Sequence, residues 1–555
     1  MITPVWIIGF TGHRPKESPG RTSAEMEHLA VKIREELRAL KAKAESQGGR
    51  AELLCGVAAG ADLIAAREAA VLEMPVHVIL PMPESHFEED FEGVAFQDDL
   101  KQARDFIKLA KEGIGGATFR IAHGSHLRDD CYYDVGSQIV YASDVIIALW
   151  DGKEAPPVQI TDSTGKIVSS GRGGTADVID MANADRMPYL KGKKIKDGYR
   201  WLPTPVRRIN TVTGEVDGDS SSFASATDAG LAEMKAIQHA ADAEHGIKEP
   251  LATAKALMGF VDRGAKDWAA KLRGALLCGS ILHFTASIIA AVSAGSQSVL
   301  KGWQPPALAG LELALVLAAI GLMLWSHYKH AQARWLELRV ATELVRGLVS
   351  SGRLFDPLFP IATDHLPGWR RFCVSAGLTI WRDASTAAAP GTAPEKVFAE
   401  EKTAYLKDRI EDQIRHFETY DPHHRHWWHR SAHFAGSATS FLAVVFIVIA
   451  LVHKIDVYRH PEHEHPENLP LSLIYYFLPI ALPLLAGAVT SLQSVTDVKR
   501  RAHVYPEMVE RLKSACDFLA AIRTPTSLRR FVRRTEEILL DELVGWYAAA
   551  KGISH

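Results

Sequence analysis

Four apolar runs in the second half of the chain, 274–294, 307–325, 434–452 and 471–492, restrict its architecture more than any other feature. Each is about twenty residues long, the length a helix needs to cross a hydrocarbon core of about 30 Å. A buried helix of a soluble protein accounts for any single run, but not for all four arranged as two hairpins with short connections. Lys266, Lys271 and Arg273 precede the first run, and Lys329 and Arg334 follow the second. Arg425 and Arg430 precede the third, and Lys499, Arg500 and Arg501 follow the fourth. The loops within the hairpins hold only Lys301 in one, and Lys454 with Arg459 in the other. The positive-inside rule then places both termini in the cytoplasm of a multi-pass protein of the inner (plasma) membrane. Trp303, Trp325, Trp427 and Trp428 stand where an aromatic belt would meet the lipid headgroups.

The first two hundred residues have a different pattern. Short apolar runs at 5–10, 52–55, 76–80 and 144–150, with a weaker one at 117–122, predict strands. Between them, helical periodicity at 24–44, 62–72 and 130–142, and again from 175 through 182, predicts helices. Strands that are apolar throughout and alternate with helices predict an α/β Rossmann-like domain, its mainly parallel sheet covered on both faces. The stretch 204–227 has Arg207 and Arg208, then Gly, Asp and Ser without an apolar period, and reads as a loop or linker. The expected division is a domain at 1–205, a linker with a connecting helix at 206–250, and a two-transmembrane unit at 251–355. A connecting segment at 356–395 and a second two-transmembrane unit at 396–555 complete it.

Within the first domain, Gly56-Val57-Ala58-Ala59-Gly60-Ala61-Asp62 joins a strand to a helix through small residues. Glycines let a phosphate approach the backbone, and the helix that follows offers free N–H groups and the positive end of its dipole. A tight turn that binds nothing is the alternative. Two sister turns, 9–14 and 171–175, also contain glycines, and all three converge if their strands are adjacent. The candidate ligand contacts are Gly9, Thr11, Gly12, His13 and Arg14 in the first turn, and Gly56, Ala59, Gly60 and Asp62 in the second. Gly173, Gly174 and Thr175 belong to the third turn. Glu84 and Asp151 lie just beyond strand ends, where each could hold a ribose hydroxyl or serve as a loop cap.

These turns resemble the SLOG superfamily, a Rossmann-like group that includes the DNA-processing protein A family and the LOG enzymes. The match rests on Ile8-Gly9-Phe10-Thr11-Gly12-His13-Arg14, on Gly56 to Asp62, and on Gly174-Thr175 opening a helix. The resemblance implies a nucleotide-derived ligand and, in some members, sensing of a signalling nucleotide. It also implies a glutamate three residues beyond the Gly-Thr in the hydrolytic branch, where this chain has Val178. Binding without cutting is therefore the expectation, with no catalytic residue and no cofactor assigned.

Beyond the hairpins, Trp335, Leu338, Thr342, Val345 and Leu348 form one helical stripe. Met508, Leu512, Ala515, Leu519 and Ile522 form another, and Leu406, Ile410, Ile414 and Phe417 a third. They predict a helical bundle below the membrane. The segments 335–346 and 405–413 resemble the helices that follow and precede the hairpin of SLATT domains. That resemblance implies a pore-forming effector in bacterial conflict or phage defence, here with two copies of the unit. His283 and Glu312, ionisable and inside the first two runs, are the pore candidates.

Composition narrows the partners. A formal net charge of −3 offers no basic field for nucleic acid. Five scattered cysteines fit a reducing compartment, and the start of the chain has no secretory pattern. The histidine groups 423–429 and 460–465 lack the His-Glu-x-x-His spacing, so no metal is expected. The expected partners are a nucleotide-derived small molecule, the lipid bilayer and further copies of the chain. Three functions remain open: a receptor-effector, a membrane-anchored nucleotide-processing enzyme, or a transporter or scaffold.

Overall fold

The computed structural model describes residues 3–12, 27–92, 96–122, 127–152, 160–161, 167–169, 173–183, 204–211 and 213–218 of the first half. In the second half it describes 254–295, 304–359, 369–387, 394–419 and 498–551, with isolated positions between 438 and 482.

The first half is built on a seven-stranded sheet in the order β4-β3-β2-β1-β5-β8-β9. The strands are β1 (Val5–Gly12), β2 (Arg50–Cys55), β3 (Val76–Leu80), β4 (Phe119–Ile121), β5 (Val145–Trp150), β8 (Val206–Asn210) and β9 (Val216–Asp217). All neighbours are parallel except β8 and β9, and β6 (Ile160–Thr161) with β7 (Ile167–Ser169) makes a separate ribbon. The α/β expectation is met. Strand β8 lies inside the stretch expected to be linker. Only Ile209 of β8 is buried, so the segment lacks the apolar run of an inner strand. Its place comes from backbone pairing with β5 and from Arg207, which bonds Glu36 Oε2 at 3.0 Å and the Gly218 carbonyl at 3.0 Å.

Alternation along β1 divides the core between two faces. Trp6, Ile8 and Phe10 pack with Ile33 and Leu37 of α1 (Ala30–Ser46) and with the alanines of α2 (Ala61–Val71). Helix α3 (Gln97–Glu112) adds Ala103 and Ile107 to this face. Val5 and Ile7 face the other way, toward Val135 and Ile139 of α4 (Arg128–Ala142) and Val178 of α5 (Thr175–Asn183).

The second half begins with α6 (Ala254–Gly295), a continuous helix of 42 residues and about 63 Å. Leu257, Val261, Ala265, Trp268 and Leu272 form a buried stripe on its first part. Beyond Arg273 the helix turns its apolar residues outward, with Leu276, Leu277 and Ile281 exposed. Helix α7 (Gln304–Tyr328) exposes Leu313, Leu317 and Leu324 and packs back along α6. Two helices, at Ala256–Ile289 and Gly310–Tyr328, are long and apolar enough to cross a membrane, with mean hydropathies of 1.5 and 1.6. Among the described residues there are two such helices, against the four expected. About half of the third apolar run and most of the fourth lie outside those residues. The described positions of the third run include Phe441 and Val444, both exposed.

The three stripes do pack into a bundle. Leu338 and Val345 of α8 (Ala331–Ser351) join the stem of α6 in one core. Helix α10 (Pro394–Tyr405) continues through a π-helical stretch, Leu406–Glu411, into α11 (Asp412–Thr419). Ile410 and Phe417 of that run pack against Met508, Leu512 and Leu519 of α12 (Val498–Ala521) and Phe531 of α13 (Pro525–Lys551).

The segment expected only to connect, 356–395, contains helix α9 (Arg370–Ala387), which belongs to both halves. Its Val374 and Leu378 cover Val5, Ile7, Leu54 and Ile79 of the sheet. Its Phe372, Cys373, Ala376 and Ile380 enter the core formed by α6 and α8. One helix thus joins the sheet to the stem of a helix apolar enough to cross a membrane.

Candidate functional site

Strand order reverses at β1: β2, β3 and β4 extend to one side, and β5 returns to the other. In an open α/β sheet such a reversal parts the connecting loops and leaves a crevice at the carboxyl ends of the strands. Thr11 and Gly12 end β1 opposite Ala148 and Leu149 of β5. Asp151 and Gly152 follow directly after β5, and Gly56 follows β2 on the other side of β1.

Close packing explains several of the glycines. A Cβ on Gly12 would stand 2.3 Å from the Ala61 Cβ, so a side chain there would push α2 off the strand tip. Gly9 lies within β1, where a Cβ would meet Ser143 Oγ at 2.2 Å and Ile139 Cγ2 at 2.8 Å. It seats α4 on the sheet about three residues, roughly 10 Å, short of the crevice. Gly60 has φ 90° and ψ −122°, a conformation open to glycine, and leads into α2. In the same turn Val57 is held at φ 46°, costly for a β-branched residue. A Cβ on Gly56 would lie 3.0 Å from Asp62 Oδ2, so this carboxylate overhangs the turn. Burial, with the Asp62 charge beside it, pushes the Cys55 thiol well above its usual range. Asp62 therefore adds negative charge where the sequence pattern offers a phosphate cradle, a placement better suited to a ribose hydroxyl. Ala59 is buried in the same turn.

The third turn is internally satisfied. The N–H groups of Gly173 and Gly174 donate to Asp177 Oδ2 at 2.7 and 3.1 Å. Asp177 thus occupies, with its own carboxylate, the position that the sequence pattern offers to an anion. Gly173, at φ 94°, abuts the Asp129 carbonyl and Tyr132 at the start of α4, and Thr175 is buried. Glu84 opens a one-turn helix after β3 and is ion-paired with Lys111. His13 and Arg14 lie outside the described residues, as do both histidine groups. No group able to hold a metal occurs among the described residues.

Three polar clusters escaped the sequence reading. Arg128, at the start of α4, pairs with Asp90 at 2.6 Å and Glu89 at 3.0 Å, and Tyr132 donates to Asp90. These contacts tie the loop beyond β3 to the α4 N-terminus beside Gly173, and only the acidic run 88–90 hinted at them. Inside the sheet, fully buried Glu52 accepts from Arg382 Nη2 of α9 at 2.8 Å and pairs with Arg50 Nε at 2.6 Å. His77 Nδ1 accepts the Thr118 N–H at 3.0 Å, which leaves the hydrogen on Nε2 for Glu52 at 2.8 Å. Asp144, at the amino end of β5, accepts from the Ile7 N–H at 2.8 Å and from Arg371 of α9 at 3.0 Å. The last two clusters couple α9 to the sheet, Asp144 at the end opposite the crevice.

Of the pore candidates, His283 is exposed on α6 and Glu312 half-buried on α7; the described structure places no hydrogen bond or ion pair between them. Comparison with known protein families, curated proteins and solved structures returns no match to this chain.

Proposed function

We propose that the chain is a membrane receptor-effector whose Rossmann-like domain binds a nucleotide-derived signal and thereby governs a transmembrane helical bundle. The observation that carries this reading is the reversal of strand order at β1, which gathers Thr11, Gly12, Asp151 and the turn from Gly56 to Asp62 at one edge. Carboxylates at Asp62 and Asp151 suit ribose hydroxyls, and the Thr11 hydroxyl and the α2 N-terminus suit an acceptor oxygen of the same ligand. Helix α9 supplies the coupling, because it packs on the sheet and on the stem of α6 together. A ligand acts only if it favours one arrangement of those elements over another. The reading extends to four membrane crossings in two SLATT-like hairpins, both termini cytoplasmic, and a pore assembled from several copies of the chain. Bacterial conflict or phage defence is the setting that the SLOG-like and SLATT-like motifs suggest.

The alternative is a membrane-anchored enzyme that hydrolyses the nucleotide. Val178 speaks against it: its side chain is buried against the helix carrying Gly136, and no carboxylate takes that position. Proteoliposomes holding the full chain test both readings with ATP, ADP-ribose and cyclic dinucleotides. Ion flux that follows one nucleotide and is lost in Thr11→Val and Asp151→Asn is the expected result. Turnover without flux favours the enzyme, and flux indifferent to every nucleotide and both variants removes the receptor reading.

A further inference from the structure

A cavity of about 550 Å³ opens inside the helical bundle, away from the glycine turns. It is walled by the stem of α6, by α8, by α11 and by α13, and Cys373 of α9 reaches its lining. Its volume falls in the range of small-molecule sites.

The polar groups of this cavity are unequally satisfied. Glu536 takes Arg409 Nε and Nη2 at 2.9 and 2.8 Å and the Tyr405 hydroxyl at 2.9 Å. Glu343 pairs with Arg339 at 2.9 Å and Arg346 at 2.8 Å, and Asp262 with Lys266 at 2.6 Å. These carboxylates are thus already neutralised. Two buried donors have no hydrogen-bond partner among the described residues: Arg409 Nη1 and Gln413 Nε2. Both residues are 4% exposed, both line the cavity, and they stand four apart along their helical run. Arg409 Nη1 lies 3.8 Å from Glu343 Oε2, too far for a hydrogen bond. A buried unsatisfied donor costs about 1–3 kcal/mol, and more when charged, so two such donors on residues that line one cavity favour an acceptor beside them. The edges of Trp335 and Trp546 add an apolar wall, their rings meeting edge to face at 5.4 Å.

We infer that this cavity is a second binding site, which takes an oxyanion-bearing small molecule on Arg409 and Gln413. A phosphate or carboxylate group supplies the acceptors these donors lack, and the tryptophan wall accommodates the rest of the ligand. Arg273, exposed where α6 leaves the bundle, also lines the cavity. The same chemistry therefore has two sources, a soluble oxyanion and an anionic lipid headgroup. The site is independent of the nucleotide reading, but it touches α9 and so the same coupling element.

The full chain in phosphatidylcholine nanodiscs is titrated with inorganic pyrophosphate and with citrate, following tryptophan fluorescence and the thermal midpoint. A second set of nanodiscs adds phosphatidylglycerol. A saturable response to a soluble probe identifies the free oxyanion as occupant; a response only to phosphatidylglycerol identifies the headgroup. Gln413→Leu removes an unsatisfied donor without removing volume. It is expected to keep or raise the unliganded thermal midpoint while weakening the response roughly tenfold. Thr11→Val, at the nucleotide crevice, is expected to leave this binding unchanged, so the two sites succeed or fail separately. No response in either membrane, or an equal response in Gln413→Leu, overturns the inference and leaves a cavity that holds water.

Discussion

At the scale of single residues, the glycines show how one sequence signal serves two purposes. Gly12 reads as a ligand contact, yet its immediate task is to let Ala61 approach the tip of β1. Gly12→Ala is predicted to cost about 1–3 kcal/mol in urea unfolding through displacement of α2. Gly174→Ala is predicted to be close to neutral, because nothing lies within 4 Å of the added Cβ. Spacing cannot separate these cases, since the difference lies in a neighbour from another element. Charge adds a second residue-scale expectation. Burial alone would raise the Glu343 pKa, but Arg339, Arg346 and Arg409 outweigh it and hold the carboxyl at about 2. Its folded value is below its unfolded one, so the stabilisation is full above about pH 4.5 and is lost as pH falls toward 2. Its size is on the order of 3 kcal/mol. Thermal melting between pH 6 and pH 3 should fall less steeply in Glu343→Gln than in the unaltered chain, and an equal slope refutes the assignment.

At the scale of elements, α6 and α9 do most to organise the molecule. The apolar run at 274–294 was legible as a helix long and apolar enough to cross a membrane, but the continuous helix begins twenty residues earlier as a bundle stem. Its stripe of Leu257, Val261, Ala265, Trp268 and Leu272 has the helical period, and what it meets is α8, α9 and α13. Helix α9 carries apolar residues on two faces, which fits a helix buried between two partners. Leu378→Ala should cost about 2–5 kcal/mol, and hydrogen exchange should rise in β1 and β2 as well as in α9. Exchange that rises in α9 alone would contradict the shared packing. Arg382→Met tests the polar part of the same contact, because Glu52 then keeps Arg50 and His77 but loses its partner from α9. Its expected cost is about 3 kcal/mol, read by chemical denaturation.

At the scale of the whole molecule, the two halves share a core. A chain ending at residue 250 lacks α9 and leaves part of the sheet face of Val5, Ile7, Leu54 and Ile79 uncovered. Such a chain is predicted to bind the dye ANS and to associate on gel filtration, whereas a monomer without dye binding would mean that α9 adds little. The sequence by itself determined the α/β character of the first half, the parallel strands β1, β2, β3 and β5, and the stripes of the bundle. Each is a periodicity of a few residues, set by backbone geometry and by which side chains avoid water. The crevice was legible as turns but not as a place, because adjacency of β1, β2 and β5 depends on strand order. Only the tertiary structure decided that β8 joins the sheet, that Asp177 fills the third turn, and that Asp62 overhangs Gly56. It also decided that α9 closes the sheet and that Arg409 and Gln413 line one cavity. These depend on contacts between residues tens to hundreds of positions apart, which leave no period in the chain and arise only as the elements pack.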